Sequence, residues 1–85
     1  MIAKELLTFW NEPEDKENLK PERITFPLNG RGEVVGDLVS VDAHGPRVRV
    51  CLTTGVRITP DWTEIIFDQE FFTVLPDTEI YIHET

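Results

Sequence analysis

The residues with most chemistry to offer are His44, Arg47, Arg49 and Arg57, with Arg31 a little ahead of them. From Ala43 to Pro60 the chain holds three arginines and a histidine and no Asp or Glu. A guanidinium fork matches the oxygens of a phosphate, and an imidazole can stack on a base. The same arginines read equally as a solvated face paired with neighbouring carboxylates. His44, beside Gly45-Pro46, reads equally as an ordinary turn residue. Asp42 suits a turn cap, because Asp readily bonds its own backbone in such turns.

Catalysis is not expected. Cys51 shares the strand face of Arg47 and Arg49, but no histidine is placed as its base. A single cysteine also excludes an internal disulfide framework and a multi-cysteine zinc site. Asp61, Glu64, Asp68 and Glu70 lack the spacing and glycine of a calcium loop. Gly30-x-Gly32 is too short to cradle a phosphate and reads as turn chemistry. Trp10 and Trp62 read as packing anchors. No cofactor and no metal are therefore expected.

Charge is unevenly spread. The formal net charge is −8, which by itself argues against a simple nucleic-acid binder. Yet Asp61 to Thr85 carries seven acids and no Lys or Arg, and Met1 to Glu22 six acids against three lysines. A domain that segregates charge this way can present one basic face despite its total. No apolar run is long enough to span a membrane. Lys4 and Glu5 interrupt the first apolar stretch, so no secretory leader is expected. The expected location is cytoplasmic.

Eighty-five residues predict one domain. Ile2, Ala3, Leu6, Leu7, Phe9 and Trp10 share a face at helical spacing, predicting a short helix over 2–10. Too short to be stable alone, it must dock on something, and the open end of a barrel is the expected place. Residues 11–22 form a charged connector, and 23–85 the β part. Strands are predicted at Ile24–Leu28, Glu33–Asp42, Arg47–Thr53, Val56–Thr59, Glu64–Asp68, Phe71–Leu75 and Glu79–His83. Turns are predicted at Asn29-Gly30-Arg31-Gly32, Ala43–Pro46 and Thr54-Gly55. Pro27 suggests an edge or kink. The switch of apolar parity from Val34 and Leu38 to Val39 and Val41 implies a bulge, with Gly36 a plausible site. The fold class is mostly β: a small five-stranded, bent, SH3-like barrel with an N-terminal helix. Ile65, Ile66, Phe67, Phe71, Phe72 and Val74 are apolar on both faces of their strands, as expected where another layer covers them or another protomer pairs with them.

The stretch Leu28–Val50, LNGRGEVVGDLVSVDAHGPRVRV, resembles the first motif of the Sm/LSm family, which includes the bacterial host-factor (Hfq) proteins. Asn29-Gly30, Gly36-Asp37-Leu38 and Val41-Asp42 follow that pattern, with one extra residue at Gly32. Phe72-Thr73-Val74-Leu75-Pro76 resembles the last strand of the host-factor type. Divergent, phage-type members are the expected relatives. The resemblance implies a single Sm-like domain over 1–85 and a homo-oligomeric ring, pentamer to heptamer, joined edge strand to edge strand. It also implies single-stranded RNA or DNA held near a pore by Asp42 and His44. The family's base-reading Asn position is taken by Pro46. Its Arg-Gly before the last strand is replaced by Asp68-Gln69-Glu70. Binding with little sequence preference, through Arg31, Arg47, Arg49 and Arg57, is therefore the expectation. The alternative is an SH3-like module for a protein partner, with no nucleic-acid role.

Overall fold

The computed structural model describes residues 1–11 and 23–83. It contains one helix, α1 (Ala3–Trp10), and five strands: β1 (Arg23–Pro27), β2 (Glu33–His44), β3 (Arg47–Ile58), β4 (Glu64–Val74) and β5 (Tyr81–His83). The predicted connector lies, beyond Asn11, outside the described residues. None of the described helices is long and apolar enough to cross a membrane.

Helical spacing sets the docked face of α1. Ala3 and Leu6 are fully buried, and Leu7 and Trp10 pack beside them against the strands. Burying one leucine stabilises by roughly 2 kcal/mol, which a helix this short needs. Its first turn would leave backbone N–H groups unpaired. Here Ala3 N–H donates to the Thr78 carbonyl and Lys4 N–H to the Pro76 carbonyl, both at 2.9 Å. Ile2 N–H donates to the Glu5 carboxylate at 2.9 Å. The segment between β4 and β5 thus caps the helix.

The strands form one antiparallel sheet in the order β4-β3-β2-β1-β5. It is bent and barrel-like, and its concave side is filled by Ile24, Phe26, Val34, Leu38, Val50, Leu52 and Ile80. Two register shifts between β2 and β3, at Val35/Asp37 and Leu38/Ser40, make the bend. The parity switch at Gly36 foretold them. Pro27 closes β1 beyond the last residue that β5 pairs, Thr25. Leu28 N–H points at the Gly32 carbonyl on the β2 side, 2.8 Å away. Alternation then turns the proline nitrogen to the unpaired side, where a missing N–H costs nothing.

Two expectations need correcting. Thr54-Gly55 is not a turn: β3 runs unbroken from Arg47 to Ile58. Gly55 is buried where β2, β3 and β4 press together, and a Cβ there would strike the Phe67 ring and the Val35 carbonyl. Glycine serves close approach, with Thr54 taking the bend at φ +50°. Likewise 64–68 and 71–75 are one strand, β4, paired continuously with β3. Asp68 and Gln69 lie exposed on an edge that can keep them in water.

Candidate functional site

The tip of the β2–β3 hairpin is tighter than predicted. His44 and Arg47 are register partners, and Gly45-Pro46 alone makes the turn, with Gly45 at φ +60°. Both flanking side chains are exposed. Two rungs inward, on the same face, Asp42 faces Arg49 across the strands. Arg49 Nε donates to Asp42 Oδ1 at 3.1 Å and Nη2 to Oδ2 at 2.6 Å, a bidentate pair. The guanidinium also lies over the Phe71 ring, 5.3 Å from its centroid. Hydrogen bonding from Arg49 holds the Asp42 carboxyl below its ordinary value, and Asp42 pushes the Arg49 guanidinium up. Asp42 is thus the partner of Arg49 more than a turn cap.

Arg23 pairs with Asp37 at 3.1 Å, and the other three arginines line two adjoining hollows elsewhere. The β1–β2 turn, with Asn29, Gly30 and Gly32 all at positive φ, carries Arg31 across to the C-terminal half of β4. On one side of it a hollow of about 600 Å³ is lined by Asn29, Arg31, Arg47, Thr73 and Thr78 over an apolar floor of Pro27, Leu28 and Val74. A second hollow of about 600 Å³ takes in Arg31, Arg57, Thr59, Glu70 and Thr73. Leu28, Arg31 and Thr73 line both, so the two adjoin. Among the described residues, Glu70 is the one acid that lines them. Arg57 Nε is buried with no hydrogen-bond partner, and Glu70 Oε2 stands 3.9 Å away, beyond hydrogen-bond reach. Arg57 and Glu70 thus form a loose ion pair at the wall of the second hollow.

Of the six residues expected to contact nucleic acid, Arg31 therefore shares one hollow with Arg47 and the adjoining one with Arg57, and His44 lies beside Arg47. Asp42 and Arg49 instead occupy each other. Asn29, Thr73 and Thr78 complete the lining. Nothing in their spacing along the chain announces them, since more than forty residues separate Asn29 from Thr73.

The six apolar residues expected at an oligomer contact divide as well. Ile65, Ile66 and Phe71 are exposed on the free edge strand β4, Ile66 at 82 %. Phe72 and Val74 are buried in the protomer's own core, and Phe67 packs on the Phe72 ring. Cys51 is buried, so its thiol is not presented beside the arginines. Trp10 packs as an anchor, but Trp62 does not: it is 80 % exposed.

Comparison with protein-family models, with curated proteins and with solved structures found no match for this chain.

Proposed function

We propose that this chain is a divergent Sm-like protein that assembles into a closed ring and holds single-stranded RNA or DNA by its phosphates, with little sequence preference. The observation that carries the reading is the pair of adjoining hollows that Arg31 lines, one with Arg47 and the other with Arg57. Phosphate contacts fix a strand without reading its sequence. His44, exposed beside Arg47 at the hairpin tip, adds a stacking surface. A helix ahead of five bent antiparallel strands is the element order that the motif at Leu28–Val50 calls for.

The sheet has two unlike free edges, β4 and β5. Ile65, Ile66 and Phe71 on one, and Tyr81 on the other, leave apolar surface in water. Pairing β4 of one protomer with β5 of the next is heterologous and closes into a ring when the rotation permits. A ring also repeats each protomer's arginines around one axis, raising avidity for a flexible strand.

Two measurements test this. Light scattering on a size-exclusion column gives one discrete species larger than a dimer; a monomer at tens of micromolar, roughly where stable interfaces are saturated, removes the ring. Titration of labelled single-stranded RNA and DNA gives binding that falls steeply with salt. Absence of binding at low salt, where exposed charges act most strongly, favours a protein-interaction module instead.

A further inference from the structure

The loop between β3 and β4 carries a tryptophan that the fold does not need. Trp62 is 80 % exposed and sits at φ +67°, a left-handed conformation that bulky residues rarely adopt. The loop is built to hold it there. Trp62 N–H donates to the Thr59 carbonyl at 2.9 Å, and Thr59 N–H to the Thr63 carbonyl at 2.9 Å. Thr63 N–H donates to Thr59 Oγ1 at 3.0 Å, and the Thr59 hydroxyl donates to the Asp61 carboxylate. Strain held by such a network marks a functional position more often than a neutral one.

Beneath the indole is a small hollow of about 220 Å³. Pro27, Ile58, Pro60 and Trp62 are its apolar walls, and Gly32 and Glu33 complete one side. Glu33, Ile58 and Glu64 are register partners across β2, β3 and β4, which sets the two carboxylates on either side of Ile58 on one face. Asp61 is the neighbour of Trp62 in the turn, held ionised by its threonine hydrogen bonds. Among the described residues, no Lys or Arg lines the hollow.

We propose that Trp62 and the hollow beneath it form a docking site for a basic peptide segment of another protein. An Arg or Lys side chain of the partner stacks over the indole, where a cation is attracted by the ring face. Glu33, Asp61 and Glu64 supply the opposing charge, and an apolar side chain next to that cation fills the space against Pro27, Ile58 and Pro60. The sign of the charge selects this partner. A nucleic-acid strand stacked on Trp62 would bring its phosphates against three carboxylates. A second copy offering one of its own arginines is the competing occupant, and dilution of the protein tests it. The site is independent of the arginine-lined hollows and stands whether or not those bind nucleic acid.

The test uses the full chain labelled with nitrogen-15, in which Trp10 and Trp62 each give one indole N–H signal. The probes are a synthetic twelve-residue peptide of Arg, Pro and Leu, the same peptide with Glu for Arg, and a twelve-nucleotide single strand. The expected result is a saturable shift of the Trp62 signal with the basic peptide alone, with the Trp10 signal fixed. Trp62→Asn, a residue that tolerates positive φ, weakens that binding by roughly tenfold. Glu33→Gln with Glu64→Gln weakens it and flattens its salt dependence while keeping the indole. A Trp62 signal unmoved by the basic peptide, moved as much by the acidic peptide or by the oligonucleotide, or moved by dilution of the protein overturns the proposal.

Discussion

Two neighbouring rows of residues cross β2, β3 and β4 one step apart. Val34, Arg57 and Ile65 form one, and Glu33, Ile58 and Glu64 the other. Successive residues of a strand point to opposite faces, so this single step sends an arginine to one side and two carboxylates to the other. On the first side Arg57 meets Arg31, with Arg47 further along the seam. On the second, Glu33 and Ile58 lie under Trp62. A chain of net charge −8 can thus carry one basic and one acidic surface within a few ångströms of backbone. Net charge describes the molecule's average field and says little about either face.

The largest expected effect comes from breaking the bend on which both sides depend. Gly55→Val should force a branched side chain into the Phe67 ring and the Val35 carbonyl. Overpacking of this kind costs about 3 kcal/mol, or roughly 15 °C in Tm for a domain of this size. Thermal unfolding followed by circular dichroism checks it, and Gly30→Ala, at a glycine with open space around it, should cost clearly less. A Gly55→Val protein as stable as the parent would mean that the close approach is not needed.

Next in size is the basic side. Arg31→Ala, Arg47→Ala and Arg57→Ala should each lower affinity for all single-stranded sequences alike. Each should flatten the salt dependence by roughly 0.7 per phosphate contact removed. Arg49→Ala should do less than any of them, because its fork is taken by Asp42. If Arg49→Ala matches Arg47→Ala in a titration at low salt, the ion pair must open on binding. Trp62→Asn sharpens the contrast from the acidic side: nucleic-acid affinity should stay within twofold, and stability should rise by about 1 kcal/mol as Asn relieves the strained φ.

The smallest effect is electrostatic. Arg49 lowers the Asp42 pKa below its ordinary 3.8. A carboxylate depressed in the folded state adds stability that is present above its unfolded pKa and is lost as pH falls through the folded value. Arg49→Gln should therefore raise the Asp42 titration midpoint towards 3.8, read from its carboxyl carbon signal. It should lower stability slightly above that pH, and the difference from the parent should vanish as pH falls through the parent's folded value. At neutral pH the exposed pair contributes little, so a large loss there would point to the Arg49–Phe71 contact instead.

Much of the fold is legible along the chain. The spacing of Ala3, Leu6, Leu7 and Trp10 gives α1 within a residue or so, and Asn29-Gly30 gives the first turn. The change of parity around Gly36 gives the bulge. These are local signals, read from side-chain period and backbone sterics. Gly55 misleads for the same reason: Thr-Gly has turn composition, and only the approach of Phe67 and Val35 turns it into a packing glycine. Trp62 misleads in the opposite sense, since an indole is usually buried and here a hydrogen-bonded turn aims it outward.

By itself, then, the sequence determined the short helix, the mostly β class, the turns at Asn29-Gly30 and Gly45-Pro46, and the presence of an acid-free stretch within an acidic chain. Tertiary structure alone decided which of those arginines act together. Arg49 pairs with Asp42 because the hairpin register sets them opposite each other. Arg31 meets Arg47 and Arg57 because the bent sheet brings residues 28–31 against residues 70–75. Local periodicity carries no information about such contacts. They depend on register and curvature, which emerge only when the strands pack around a common core.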